Sequence, residues 1–254
     1  YSISNVIAVW VDPDNGADGS RRGGSGWWYE GGGLYRHAWL EASSDVYLEQ
    51  DSLFAWSALD SSLEQAKVYA SATVANAAAR NTSVCVSFSL SGPDGARLLL
   101  PATPSVELHL AAHEETLTAN GTFVIPRPRL WSTASPSLYE VRAAIHSDNC
   151  EGPEVDDASS TIGIRSLRYD ADMGFALNGN FMKLRGFCDH DSFAVVGMAV
   201  PERINLFRAQ ALRALGGNSR RMSHNPPDVA TLDIYDRLGA GGIDENRLFG
   251  RRSA

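Results

Sequence analysis

Three clusters of polar side chains that could do chemistry stand near the carboxyl-terminal end of the chain, each after a short strand-like run. The first cluster holds His190, the second holds Arg221 and His224, and the third holds Asp244 and Glu245. Imidazole and carboxylate groups can bind the hydroxyls of a ligand, and an arginine fork can pair with a carboxylate. If the runs are parallel strands, all three clusters lie on one rim, where such folds place their active sites.

The segments around these clusters predict a βαβαβ unit. Strands are predicted at 183–187, at 218–222 and up to Ile243, with helices after Pro201 and after Pro226-Pro227. Apolar residues recur at helical spacing in both helices, and glycines follow each one. These residues are Ile204, Phe207, Ala211, Leu212 and Leu215 in the first helix, and Val229, Leu232, Tyr235 and Leu238 in the second. The unit can begin an open doubly wound sheet or a closed barrel, and the pattern alone does not choose.

The middle of the chain, from about 45 to 162, alternates apolar and polar residues with a period of two. This pattern and frequent turn signals predict an antiparallel β-sandwich. Two clear strands carry Val84, Val86, Phe88 and Leu90, and Tyr139, Val141, Ala143 and Ile145. The proline-rich stretch before Trp131 predicts a packed crossover, with a tryptophan that simply fills the sandwich core as the alternative. Further along, Asn178-Gly179 predicts a hairpin turn.

Nearer the start of the chain, two more strands are predicted. Residues 5–11 form a β-branched run that reads as a buried strand before a turn-prone segment, and residues 37–40 read as another strand. Aromatic residues crowd beside glycines between them, which lets the backbone pass close to large rings.

Composition narrows the classes of partner. The 254 residues carry a net charge of −8 with an isoelectric point near 5.2, which argues against nucleic-acid binding. No apolar run approaches the roughly 20 residues of a bilayer span, so no membrane partner is predicted. Cys85, Cys150 and Cys188 are odd in number and far apart, so neither a disulfide framework nor a zinc site is predicted. The compartment is not readable.

Five strings, in order along the chain, closely resemble glycoside hydrolase family 2, the group of β-galactosidases and β-glucuronidases. The string Ser223 to Pro227 looks most like the β-galactosidase members. The five strings are Gly26 to His37, Leu130 to Ser132, Leu177 to Phe187, Met222 to Pro227, and Asp244 to Asn246.

The resemblance implies a mainly β, multidomain chain. Residues 1–41 would be the closing part of a jelly-roll sugar-binding-type domain, and residues 42–162 an immunoglobulin-like β-sandwich. Residues 163–254 would be the first three βα units of a (β/α)₈ TIM barrel. It further implies a retaining hydrolase for terminal β-D-galactosides whose two catalytic glutamates stand on later strands, beyond Ala254. The chain would then be a fragment, inactive alone, that belongs to a protein which could form a homo-oligomer.

The resemblance also implies the site residues. His190, Arg221, His224 and Asp244 would bind a β-galactoside or related oligosaccharide, with no catalytic residue and no cofactor within the chain. Each histidine taken alone would be an ordinary polar residue at a strand end. Adjacent strand residues point to opposite faces, so at most one carboxylate of Asp244 and Glu245 faces a barrel interior. A structural role for this pair, in pairing Arg221 or orienting His224, is the favoured interpretation.

Several residues depart from the family pattern, and the absence of both catalytic carboxylates from the chain leaves alternatives open. Phe249 and Arg251 stand where the bacterial enzyme has magnesium ligands, so no metal site is predicted, and Trp27 replaces a jelly-roll aspartate. Gly241-Gly242 weaken the third strand, and Arg220 stands where an aromatic residue is common. The alternatives are a non-catalytic carbohydrate-binding or scaffold protein, or another specificity of the family such as β-glucuronidase or β-mannosidase.

Overall fold

A computed structural model describes residues 6–11, 33–98, 100, 103–113 and 115–245. The chain divides into two units: a sandwich unit, Glu41–Leu184, and a parallel unit made of Tyr1–Leu40 with Arg185–Ala254. None of the helices in the described part of the chain is long and apolar enough to cross a membrane.

The sandwich unit contains two four-stranded antiparallel sheets. In the first sheet the long strand β3 pairs with β6 along one edge and with both β1 and β2 along the other. The second sheet has the order β5-β4-β7-β8. The strands of the first sheet are β1 (Val46–Leu48), β2 (Phe54–Leu59), β3 (Gln65–Asn76) and β6 (Glu115–Pro126). Those of the second are β4 (Thr82–Ser91), β5 (Ser105–Leu110), β7 (Tyr139–Ser147) and β8 (Glu154–Ile162).

The inward faces of both sheets form one apolar core, and the predicted alternation in β4 and β7 is confirmed. All eight residues named for these two strands are buried in this core. Gly121 on β6 allows the sheets to approach here, because a Cβ at this position would lie only 2.8 Å from the ring of Phe88. The period-two pattern therefore identified the faces that hold the sandwich together.

A disulfide bond joins Cys85 and Cys150, although the odd number and wide spacing of the cysteines predicted no disulfide framework. Their Cα atoms lie 4.9 Å apart, although 65 residues separate them along the chain. Pairing of β4 with β7 places Val84 opposite Ser147, and the turn after β7 then runs back beside β4. Long-range strand pairing, which residue spacing does not reveal, creates the contact. Cys188 is a free and exposed thiol.

The chain that follows β8 packs against Trp131 and is hydrogen-bonded to it. The backbone N–H of Trp131 donates to Ile164 O at 2.8 Å, and the Arg165 guanidinium lies 4.7 Å from the indole ring. A Cβ at Gly163 would collide with the same ring. Asn178 donates from Nδ2 to Trp131 O at 3.0 Å. Trp131 is thus buried outside the main apolar core, which favours the crossover over the simple core-filling role.

The predicted hairpin at Asn178-Gly179 is confirmed. Both residues have positive φ, 51° and 77°, as a two-residue hairpin turn requires. The turn joins the last two strands of a small antiparallel sheet with the order β11-β10-β9. These strands are β9 (Leu167–Asp170), β10 (Gly174–Leu177) and β11 (Asn180–Phe181).

The parallel unit contains the βαβαβ arrangement that the sequence predicts. Its strands pair in parallel with the order β12-β13-β14. The elements are β12 (Gly186–Asp189), α1 (Glu202–Ala214), β13 (Ser219–Met222), α2 (Val229–Leu238) and β14 (Gly241–Asp244). The first strand begins later than predicted, at Gly186, and Pro201 is the N-cap of α1 instead of its first helical residue. A small apolar core contains Ala209, Leu212, Met222, Ile234, Tyr235 and Ala240.

The apolar residues that recur at helical spacing in the two helices are only partly buried. Phe207, Leu215 and Val229 are exposed, while Asn205 and Thr231 are buried. Asn205 donates from Nδ2 to Thr231 Oγ1 at 2.9 Å, so the helices meet through a satisfied polar pair. An apolar pattern cannot anticipate a buried face that contains polar and small residues.

The two early strands are also wrong where the structure describes them. Residues 6–11 and 37–40 have no regular secondary structure, and Val6, Trp10 and Leu40 are largely exposed. A strand needs a neighbour for its backbone groups, and no strand of the described residues pairs with these segments. Residue 5, the string from 26 to 32, and Asn246, Phe249 and Arg251 lie outside the described residues.

Candidate functional site

The carboxyl ends of the three parallel strands bring the three predicted clusters to one rim. Asp189, Met222 and Asp244 lie side by side in the sheet register, so the residues that follow them emerge together. The imidazole rings of His190 and His224 meet edge to face, with centroids 5.1 Å apart. The rim that the sequence predicts therefore exists within the parallel unit.

On this rim, Glu245 bridges Arg221 and His224. Its Oε1 lies 2.5 Å from Arg221 Nη2, and its Oε2 lies 2.8 Å from His224 Nδ1. Because a carboxylate only accepts, His224 Nδ1 carries the proton and donates it to Glu245. The 3.3 Å approach of Arg221 Nη2 to the same nitrogen is then a contact between two donors. One carboxylate thus orients both the guanidinium and the imidazole, the structural role favoured from the sequence.

The charges on the rim follow from these contacts. The hydrogen bond from His224 lowers the pKa of Glu245 against a smaller effect of burial, and Arg221 lowers it further. The hydrogen bond to Cys188 raises the pKa of Arg221, and Glu245 raises it as well. Burial lowers the pKa of His190, with a further contribution from His224. At neutral pH the rim therefore presents an ion pair, Arg221 with Glu245, beside a neutral His190.

Cys188 on β12 and Ser223, just after β13, support the Arg221 guanidinium, and neither was predicted from the sequence. Arg221 Nη1 donates to Cys188 Sγ at 2.9 Å, and Cys188 Sγ lies 3.0 Å from Ser223 Oγ. Ser223 Oγ donates in turn to Asp189 O at 3.1 Å. The peptide bond between Ser223 and His224 is cis. Since Arg221 was predicted to face the pocket, its register partner Cys188 could have been placed beside it.

Asp244 does not join this cluster. It is exposed at the end of β14, and its side chain makes no hydrogen bond or ion pair with any residue that the structure describes. Its neighbour Glu245, the first residue after β14, turns towards Arg221 and His224 instead, which continues the alternation of side-chain directions along the strand. The assignment of Asp244 to a sugar pocket stays a prediction, and so do the ligand contacts of His190, Arg221 and His224.

A separate cavity of about 530 Å³ in the same unit has mostly paired polar groups. Arg36 donates to Asp191 Oδ2 at 3.1 Å, and His37 Nε2 lies 2.9 Å from Glu202 Oε1. Asp228, also at this cavity, caps the start of α2. Over the described part of the chain, no group of three or more His, Cys, Asp or Glu side chains is placed to hold a metal ion.

Two family models match the chain. The description of the first is Glycosyl hydrolases family 2, and it matches residues 46–165. That of the second is Glycosyl hydrolases family 2, TIM barrel domain, and it matches residues 171–253. Both structural units of the chain thus carry a match to one family.

Curated relatives include enzymes with two different names. Beta-galactosidase BoGH2A of Bacteroides ovatus is 32% identical over 243 residues, covering 95% of this chain and 27% of that protein. A beta-glucuronidase of Bacteroides fragilis is 28% identical over 221 residues, covering 82% of this chain and 29% of that protein. The chain therefore spans a little over a quarter of the length of these relatives.

Solved structures agree with these matches. A glycosyl hydrolase family 2 member from Bacteroides cellulosilyticus superposes with a TM-score of 0.79 at 29% identity, over 88% of this chain and 30% of that chain. A beta-glucuronidase of Bacteroides uniformis superposes with a TM-score of 0.80 at 29% identity, over 87% of this chain and 26% of that chain.

Proposed function

The chain belongs to glycosyl hydrolase family 2, and from this premise we propose that it is part of a retaining glycosidase that acts on terminal β-D-galactosides. In this proposal residues 1–41 close a jelly-roll domain, residues 42–162 form an immunoglobulin-like domain, and residues 163–254 open the catalytic barrel. The rim of β12, β13 and β14 is then the first part of the sugar pocket.

Within that pocket, the residues of this chain bind and orient the sugar. The ring nitrogens of an imidazole can donate to or accept from the hydroxyls of a pyranose, and His190 and His224 would make such hydrogen bonds. Asp244 would accept from a hydroxyl at the rim. A retaining mechanism further requires an acid/base carboxyl and a nucleophilic carboxylate about 5 to 5.5 Å apart, which we assign to sequence outside the chain.

The observation that favours a galactoside is the pairing of Arg221 with Glu245. The two side chains lie 2.5 Å apart, so the positive charge of the guanidinium is already matched at the rim. A glucuronide would bring its own carboxylate next to Glu245, and two carboxylates at close range repel. A neutral galactosyl group fits this arrangement without that cost.

A β-glucuronidase is the second candidate, because several relatives and solved structures carry that name. In that case Arg221 would have to leave Glu245 and bind the sugar carboxylate with its planar fork. The two specificities therefore make opposite demands on one ion pair.

The test uses the protein expressed from its complete reading frame. We expect it to hydrolyse an aryl β-D-galactoside faster than the matching aryl β-D-glucuronide and to release the β-anomer of galactose first, as seen by proton NMR. Faster turnover of the glucuronide would replace the proposed specificity. Binding of galactosides without any turnover would instead support the non-catalytic alternative.

A further inference from the structure

The loop that carries His190 is held by two arginines from neighbouring elements of the parallel unit. Arg208 on α1 donates from Nη1 to His190 O at 3.4 Å and from Nη2 to Ser192 O. Its guanidinium also lies 5.1 Å from the ring of Phe193. One side chain thus fixes the backbone of the loop on both sides of Asp191.

Arg220 on β13 holds the two acidic residues that flank His190. Its Nε donates to Asp189 Oδ1, and its Nη2 lies 3.7 Å from Asp191 Oδ1. Arg208 Nε approaches the other oxygen of Asp189 at 3.7 Å. We call Arg208, Arg220, Asp189 and Asp191 the arginine clamp.

The clamp places a charged side chain in the interior, where desolvation of the charge costs free energy. Arg220 is only 2% exposed, and its Nη1 and Nη2 are buried without a hydrogen-bond partner among the described residues. It lies on the same face of β13 as Met222, against the ring of Tyr235, where an apolar side chain would pack without desolvating a charge. Burial lowers the pKa of Arg220, but the attraction of Asp189 outweighs it together with the other acidic groups, so the guanidinium stays charged.

A buried ion pair is weak evidence for stability, because well-packed apolar residues of similar size often serve as well. An ion pair does fix geometry, since the planar guanidinium donates hydrogen bonds to a carboxylate only in defined positions. In this protein that geometry is imposed on the residues immediately before and after His190.

We propose that Arg220 and Arg208 are positioning residues that hold His190 in place against His224 for contact with the sugar. The sugar contact in this inference rests on the proposed function, whereas the restraint on the loop does not. The clamp acts through the backbone of residues 189–192 and touches no substrate itself.

The test compares Arg220→Met, Asp189→Asn and the double variant in the protein expressed from its complete reading frame. Each single variant leaves a buried or half-buried charge without its main partner, so both should melt at lower temperature. The double variant is neutral at this pair and should recover most of the melting temperature. Arg142→Met is the matched control, since Arg142 pairs with Glu154 and Asp157 on the surface of the sandwich unit.

Two measurements report on the position of His190 and its loop. Hydrogen–deuterium exchange read by mass spectrometry on the peptide covering 189–193 should be faster in all three clamp variants and unchanged in Arg142→Met. The KM for an aryl β-galactoside should rise about tenfold in the same three variants, with kcat changed less than about threefold. The double variant should keep both defects despite its recovered melting temperature.

Recovery of exchange and KM together with stability in the double variant would overturn the proposal, because the clamp would then be only structural. Unchanged exchange in Arg220→Met would overturn it as well. If the protein turns over no glycoside at all, the proposed function fails, while the exchange comparison still decides whether the clamp restrains the loop.

Discussion

Different interactions stabilise the sandwich unit and the parallel unit internally. The sandwich buries Val, Leu, Ile and Phe side chains from two sheets in one apolar core. In the described part of the parallel unit, the core contains six buried apolar residues, and beside it lie charged groups such as Arg220 and Asp189. Apolar packing builds the framework in the first case. In the second, directed polar contacts position side chains at the ends of strands.

Large apolar residues are also less exposed in the sandwich unit than in the parallel unit, as one phenylalanine from each shows. Phe88 of the sandwich is fully buried, whereas Phe187 on β12 is 60% exposed. Both β12 and β14 are edges of the three-stranded sheet in the described residues. We therefore expect the sandwich to be the more stable of the two units and the parallel unit to be the more sensitive to its polar contacts.

The largest difference should come from one phenylalanine in each unit. Phe88→Ala removes a ring from a closed core and should lower the free energy of unfolding by about 4 kcal/mol. Phe187→Ala should cost less than about 1 kcal/mol, because its ring is mostly in water. Urea denaturation of both variants gives the comparison. Equal losses would show that the two units do not differ in this way.

The disulfide bond supplies the next largest effect, and only in the sandwich. Replacing Cys85 and Cys150 together by alanine should lower the free energy of unfolding by about 2 to 4 kcal/mol, since the bond closes a long loop and so reduces the conformational entropy of the unfolded chain. Cys188→Ser is the matched control, because it removes the free thiol but keeps a hydrogen-bonding group beside Arg221 and Ser223, and it should have little effect on stability. An unchanged denaturation midpoint for the double alanine variant would argue against a bond between the first two cysteines.

A smaller difference in stability is expected between two aspartates that accept hydrogen bonds from nearby backbone N–H groups. Asp228 accepts from the backbone N–H of Ala230 at 2.8 Å and caps helix α2, so Asp228→Ala should destabilise the parallel unit by about 1 kcal/mol. Asp94 accepts from Ala96 N at 3.2 Å in an exposed turn of the sandwich. We expect Asp94→Ala to be nearly neutral, as measured by thermal melting. A larger loss for Asp94→Ala would reverse the comparison.

The smallest effect concerns pH in the sandwich unit. Backbone N–H groups of Met173 and Asp172 and the Arg168 guanidinium lower the pKa of Asp170 from 3.8 to about 2. A carboxyl with a lowered pKa in the folded state stabilises the fold above its unfolded value and loses that contribution as pH falls through the folded value. Asp170→Asn should therefore melt below the unchanged protein at pH 5 to 7, and the gap should shrink between pH 3.8 and about 2. A gap that does not depend on pH would contradict this origin.

How much could be predicted from sequence also differs between the units. The alternation in β4 and β7 identified their buried faces, because a half-buried strand needs that period. In the helices of the parallel unit the apolar spacing matched the buried faces only in part, because Asn205 and Thr231 are buried as a polar pair. The disulfide was missed, since strand register decides which distant cysteines meet.

The rim was predictable in outline but not in detail. Parallel strands made the meeting of His190 with His224 predictable. The choice of Glu245 over Asp244 as the bridging carboxylate depends on which of two neighbours turns inward at the end of β14. The clamp role of Arg220 required a partner on another strand, Asp189, which no spacing rule indicates.

In the proposed function, the preference for galactosides depends on the ion pair between Arg221 and Glu245, which Glu245→Gln weakens. The measurement is the ratio of kcat/KM for an aryl β-galactoside to that for the matching β-glucuronide, in the protein from its complete reading frame. We predict a ratio above one that falls at least about tenfold in Glu245→Gln, because the variant frees the Arg221 fork for a sugar carboxylate. A ratio that stays the same in the variant would show that the ion pair does not set the specificity.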